Sequence, residues 1–258
     1  MNDSRWRADV LGTVTAQQVS VFCEMWGQPW MPYPLEALAR RVSTESLQRR
    51  RIDIRNRFES FPPLVFEEWA RTSILPDLRV EAMVIDVNPA GDNQSGLLIN
   101  AVRRNDFGFL ATQRYDESAD ESSDITVRQM QAVDLGRAIV DVLPKVAVSK
   151  PLADVNPPSV DPRSRSVLDD TPSPPPWRSP LDGARGLHSG FLQVRDGRDA
   201  ERHLDVGVPR LLWADFAEHG RYVLTGQGMT AVDDAELKRL IDAMIGERVQ
   251  AIRQRRGG

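Results

Sequence analysis

Gly226-Gln-Gly228-Met-Thr-Ala231 has the G-x-G-x-x-A spacing of a dinucleotide-binding turn. In such a site the glycines admit a pyrophosphate to the backbone, and a helix N-terminus holds it. Here Asp233 and Asp234 open the helix that should follow. Their carboxylates would repel a pyrophosphate at that position. The 27 residues after Ala231 read as one helix and a tail, with no second strand ending in a ribose-binding acid. The segment is therefore read as a Gly-rich turn feeding a capped helix. No Walker A sequence is present.

The other chemistry-bearing residues are scattered. His188, His203 and His219 lack metal-ligand spacing, and only His219 adjoins a carboxylate in sequence. Each reads as a surface or turn histidine, because a metal or catalytic role needs convergence over long range. Cys23 lies between Val21, Phe22 and Met25 and reads as a buried, inert thiol. A single cysteine excludes an internal disulfide and a cysteine-based zinc site. The acid pairs Glu67-Glu68, Asp169-Asp170 and Asp233-Asp234 are explained by solvation or capping, and nothing selects a glycosidase pair. Arg49, Arg50, Arg51, Arg55 and Arg57 fit a solvated helix face better than a nucleic-acid patch, since no aromatic platform is interleaved. No catalytic residue, metal or cofactor is expected, and binding is the default function.

The elements that carry these residues follow from periodicity. Residues 8–42 read as a strand or short helix and then a Pro-rich crossing. Ser43 or Thr44 opens a helix whose apolar stripe is Leu47, Ile54, Phe58 and Phe61. A second helix spans about 63–73. Leu78, Val80, Ala82 and Val84 alternate as in a strand. Strands at 96–103 and 107–113 form an antiparallel hairpin around Arg103 to Asp106. Residues 116–124, with five acids, read as an exposed loop, residues 125–130 as a fourth strand, and Asp134 as the cap of a helix through Leu143.

Residues 149–182 hold nine of the 18 prolines and read as a linker or extended crossing. Beyond it, strands are expected at 190–195 and 201–206 around a turn at 196–199, and at 221–225. A closing helix capped at Asp233 or Asp234 packs through Leu237, Leu240, Ile241, Met244 and Ile245, and weakens after Gly246. Gly108 to Thr112 and Gly220 to Thr225 occupy matching places, so a strand–strand–strand–helix unit is expected twice. The fold class is α+β, with a quasi-two-fold, mainly antiparallel central sheet flanked by helical bundles. One domain spans 8–247, in halves 8–148 and 183–247, with flexible termini at 1–7 and 254–258.

The chain has 258 residues, 41% of them apolar, and a formal net charge of −4. Its balance argues against a dedicated nucleic-acid binder. No apolar run approaches the ~20 residues of a membrane span. The N-terminal MNDSRWRADV lacks the apolar core of a signal peptide, so a cytoplasmic location is expected. Of the 33 basic residues 30 are arginine, which fits codon bias in a GC-rich, actinobacterial-type genome better than selection of arginine for interfaces.

Leu211-Leu-Trp213-Ala-Asp215, followed by His219-Gly220-Arg221-Tyr222-Val-Leu-Thr225 and a capped helix, resembles the ending of the EspG family of type VII (ESX) secretion-associated proteins. Residues 64–80 resemble that family's helix–Pro–strand segment, and Ser189 to Asp196 its second-half hairpin entry. The order of these pieces covers roughly residues 8–247. The Asp161–Pro180 stretch and the Arg-rich tail depart from it. The resemblance implies a non-catalytic cytosolic chaperone that grips the helical tip of a PE–PPE-type substrate, keeps it soluble and directs it to its secretion system. It places partner contacts on Gln193, Arg195, Asp196 and Arg202, with Arg103 and Arg104 as first-half counterparts. Ordinary hairpin polarity explains those residues as well. Trp213, Asp215, Gly220, Arg221 and Tyr222 carry the motif and are expected to hold the fold, Arg221 by pairing with Asp215. The alternatives are an enzyme whose site is assembled from distant residues, and a cytosolic scaffold or nucleic-acid-associated regulator. Oligomeric state is open.

Overall fold

The computed structural model describes residues 8–60, 64–87, 94–148, 183–197, 207–226 and 228–257. The expected linker at 149–182, the strand at 201–206, His203 and Arg202 lie outside them, as do Phe61 and residues 1–7.

Thr15 starts the first helix with a capping box: its hydroxyl accepts from the Gln18 amide, and the Gln18 side chain accepts from the Thr15 amide. That helix, α1 (Ala16–Met25), follows strand β1 (Asp9–Val14). Ser43 caps α2 (Thr44–Ser60), accepting from the Ser46 amide at 3.2 Å. α2 buries no residue fully. Leu47, Ile54 and Phe58 are its half-buried stripe, and Phe58 meets Phe22 of α1 edge-on. Arg51 lies on the same stripe and pairs with Glu24 of α1, so one member of the arginine run is an interhelical contact. α3 (Leu64–Ile74) buries Trp69.

Four strands then meander: β2 (Leu78–Asp86), β3 (Ser95–Arg104), β4 (Phe107–Asp116) and β5 (Ile125–Gln131). The β3–β4 hairpin turns on Asn105 and Asp106, with Asn105 at φ +55°. A 3₁₀ turn (Ala132–Asp134) leads into α4 (Leu135–Val142); Asp134 stands at the N-cap, but its side chain makes no capping bond. The second half repeats the order with β6 (Gly186–Asp196), β7 (Arg210–Phe216), β8 (Gly220–Thr225), β9 (Gly228–Val232) and α5 (Asp234–Gly257). Each half thus contains a run of four strands followed by a helix, where three strands and a helix were expected.

The nine strands of the described residues form one antiparallel sheet in the order β1-β5-β4-β3-β2-β6-β7-β8-β9. The class is α+β, as the sequence predicts. The halves join where β2 pairs with β6 over nine residues. On one face Leu78, Val80, Ala82, Val84, Ile99, Leu110 and Leu192 pack beneath α4 and α5. On the other, Leu98, Val102, Phe109, Ala111, Ile125 and Val127 pack with α1 and α3. No described helix is long and apolar enough to cross a membrane.

Two expectations fail at the C-terminal half. The G-x-G-x-x-A segment is not a turn onto a helix: Gly228 to Val232 is strand β9, hydrogen-bonded to β8. Two glycines in eight residues hid its period of two. α5 also does not weaken after Gly246. Val249 and Ile252 continue the buried stripe, and Ile252 is in the core. Arg248 sits at the edge of that stripe beside Val194 and Val208 and does not end it. Asp233 caps α5, its Oδ1 accepting from the Glu236 amide at 2.7 Å.

Gly190 is required by packing. A Cβ there would lie 2.2 Å from the Trp213 ring, which covers it from the neighbouring strand. Gly190→Ala should therefore cost about 1–3 kcal/mol in urea unfolding, since a rigid indole must move. Cys23 is buried as expected. Burial, with a smaller push from Glu24, raises its thiol to about 12. Native protein at about pH 8 should alkylate at least a hundredfold more slowly than the unfolded chain.

Candidate protein-binding surface

Adjacent strands place Trp213, Asp215 and Arg221 of the motif together on the α5 face. Asp215 of β7 is opposite Arg221 of β8. Its carboxylate takes two bonds from that guanidinium, at 2.7 and 2.8 Å. Arg221 also donates to the Pro144 carbonyl at 3.0 Å, tying β8 to the end of α4. Asp215 is wholly buried and Arg221 nearly so, so this is an interior ion pair. The predicted partnership holds.

His188 of β6 completes the row. Its Nδ1 lies 3.1 Å from Asp215, and its Nε2 lies 3.8 Å from Asp86 of β2. The expectation of a surface or turn histidine is corrected here, because β2–β6–β7 pairing brings two distant carboxylates to it. His219 does sit at the β7–β8 turn. Among the described residues no group of three or more acid, His or Cys side chains is arranged to hold a metal ion. Trp213 is buried over Gly190, and Tyr222 is buried on the opposite face, with Phe216 edge-on at 5.8 Å. Gly220 has φ +88°, a conformation that favours glycine.

Three of the residues expected to touch a partner are not on the surface. Gln193, Arg195 and Asp196 are buried, which corrects their reading as exposed hairpin polar groups. Gln193 donates to Glu81 of β2 at 2.6 Å, and Arg195 lies 3.6 Å from the same carboxylate. Burial pushes the Glu81 carboxyl up, while the Gln193 amide and Arg195 oppose that shift. Residues 33–40 strap over this side of the sheet: the Tyr33 carbonyl accepts from Asn100 at 2.8 Å. The Gln113 side chain bonds both the amide and the carbonyl of Glu36, at 2.9 and 2.8 Å. Asp196 points to the other face and meets Arg255 of α5.

Arg103 and Arg104 do reach the surface, at the β3–β4 tip, but they are apart from Gln193. Arg104 lines an open groove of about 580 Å³ with Glu67, Glu68 and Arg71. Arg103 lines another, of about 640 Å³, with Asp77, Val249 and Ile252. The acidic 116–124 loop is less free than expected, since Arg41 and Arg50 pair with its Asp120 and Glu121.

The surface that stands out is an apolar row across the sheet. Strand register aligns Leu98, Met83, Phe191, Leu212, Leu224 and Met229 on neighbouring strands. At its first-half end, Leu98 is buried with α1 and α3. Among the described residues no helix packs over its second-half end, where Leu212 is 38% and Leu224 42% exposed. Arg210, exposed and paired with Gln193, borders the row. Sequence reading missed this surface because Leu211 to Asp215 was read as a motif rather than as a strand. The alternation of Leu212 with Leu211 and Trp213 was the available signal.

Removing Asp215 alone strips the buried guanidinium of its two-bonded partner and leaves only the half-exposed Asp234 at 3.9 Å, so Asp215→Leu should lose about 3–5 kcal/mol. In denaturant titration the double variant Asp215→Leu/Arg221→Met should lose less than Asp215→Leu; an equal or larger loss would show that the ion pair is not the coupled unit. Compared with known proteins, the sequence matches no family model and no curated protein.

Proposed function

We propose that this chain is a non-catalytic, cytosolic secretion chaperone of the type VII kind, which holds an α-helical PE–PPE-type substrate before export. The observation that supports it is the apolar row emerging uncovered on β6–β9, with Leu212 and Leu224 exposed side by side. Exposed apolar area of this kind marks binding surfaces. A helical substrate carries an apolar end that aggregates unless covered, and a sheet face can cover it. Arg210 at the border offers a charge with which to discriminate among substrates. This reading keeps the partner implied by the sequence resemblance but moves the contact from Gln193 and Arg195 to the neighbouring row.

The test is co-expression with a PE–PPE pair from the same genome, followed by size-exclusion chromatography and titration. A one-to-one complex is expected. Leu212→Glu/Leu224→Glu should weaken it by about a hundredfold or more, with an unchanged circular dichroism spectrum. Arg195→Lys, a buried change, should leave binding near wild type. Failure to bind any co-expressed, folded PE–PPE pair would overturn the function. Binding that ignores the Leu212/Leu224 change would overturn the surface.

A further inference from the structure

The two ends of the sheet are finished differently. At one end β1 carries an acid, Asp9, and a register shift between Val10 and Gly12. Charges and bulges of this kind blunt an edge strand against pairing with another chain. At the other end β9 reads Gly-Met-Thr-Ala-Val. It has no charge, no proline and no register shift against β8. Among the described residues no strand pairs with its outer side. Its backbone therefore presents N–H and C=O groups whose natural complement is another extended main chain.

α5 does not cover that edge. It starts at Asp234, next to β9, and runs back over the sheet face, so that Arg255 reaches Asp196 of β6 and Ile252 lies beside Leu78 of β2.

The sequence of β9 is complementary to itself. Paired antiparallel about a two-fold axis at Thr230, it sets Thr230 against its own copy, Met229 against Ala231, and Gly228 against Val232. Thr–Thr pairs are favourable cross-strand neighbours, and large against small side chains fill the pleat. Asp234 would face Gly226 of the second copy, so no like charges oppose each other. The apolar row ends on this strand at Met229, and pairing would set Met229 beside Ala231 of the second copy, on the same face as that copy's row.

We infer that β9 is a homodimer edge: two copies join β9 to β9 antiparallel about Thr230 and extend one sheet through both. This rests on the edge alone and is independent of the chaperone reading, whose test uses Leu212 and Leu224.

The experiment is sedimentation velocity of the full chain from low micromolar to several hundred micromolar, with hydrogen exchange at each concentration. A monomer–dimer equilibrium is expected, with amides in residues 228–232 gaining protection as the dimer fills. Thr230→Lys puts like charges face to face and should weaken self-association by about tenfold or more. If that variant fails to fold, Met229→Lys, on the open face, should weaken it in the same direction. A wild type that stays monomeric throughout overturns the inference, and so does a dimer whose β9 amides exchange as fast as in the monomer. Protection of β9 only on addition of a different protein overturns it too, and assigns the edge to that partner.

Discussion

The pairing of β2 with β6 is the constraint on which the molecule is built. It joins residues far apart in sequence along nine register positions, so each half completes the other's sheet. It also puts β2 at the centre, with Leu78, Val80, Ala82 and Val84 wholly buried on one face and Glu81 buried on the other. A strand enclosed on both sides needs a layer on each. α4 and α5 supply one, and the 33–40 strap with α1 and α3 supplies the other. The layers are unequal outward from there. Over β2–β4 the sheet is covered on both faces, whereas over β6–β9 the described helices cover only one.

That inequality explains the polar layer between strap and sheet. Asn100, Glu81 and Gln193 form a row, with Arg195 two residues along from Gln193, and the strap meets that row through the Tyr33 carbonyl. The bonds that cross from sheet to strap, Asn100 to Tyr33 and Gln113 to Glu36, specify one register of strap against sheet. The neighbouring row, two residues along each strand, is apolar throughout and passes from beneath the helices into the open. The same strands thus hold a sealed polar seam and an exposed apolar one.

Much of this architecture was legible in the sequence. The alternation of β2, the β3–β4 hairpin, the apolar stripe of α5 and the Asp215–Arg221 pair each have a local signal, either a period or an opposite-charge pair. β7 and β9 did not. Trp213 and its neighbours stood out as a motif and obscured a short strand, while Gly226 and Gly228 mimicked a phosphate-binding turn. The burial of Gln193 and Arg195 had no local signal at all, because their cover comes from residues more than 150 positions away. The same holds for the carboxylates around His188. The contacts expected on β6 therefore fall on buried residues, one row away from the exposed apolar side chains.

The strap's attachment has a polarity of its own. At Glu36 it is held by an uncharged amide, as Gln113 imitates a strand backbone by giving one bond and taking another. Toward Arg41, beyond main-chain bonds at Leu38 and Arg40, it is held by an exposed ion pair to Asp120 of the acidic loop. Added electrolyte screens the second kind and leaves the first almost untouched. The segment thus ends in a salt-sensitive clasp, and rising ionic strength would release Arg41 while the uncharged bonds of Leu38 and Arg40 to Ser122 and Asp120 hold the strap in place.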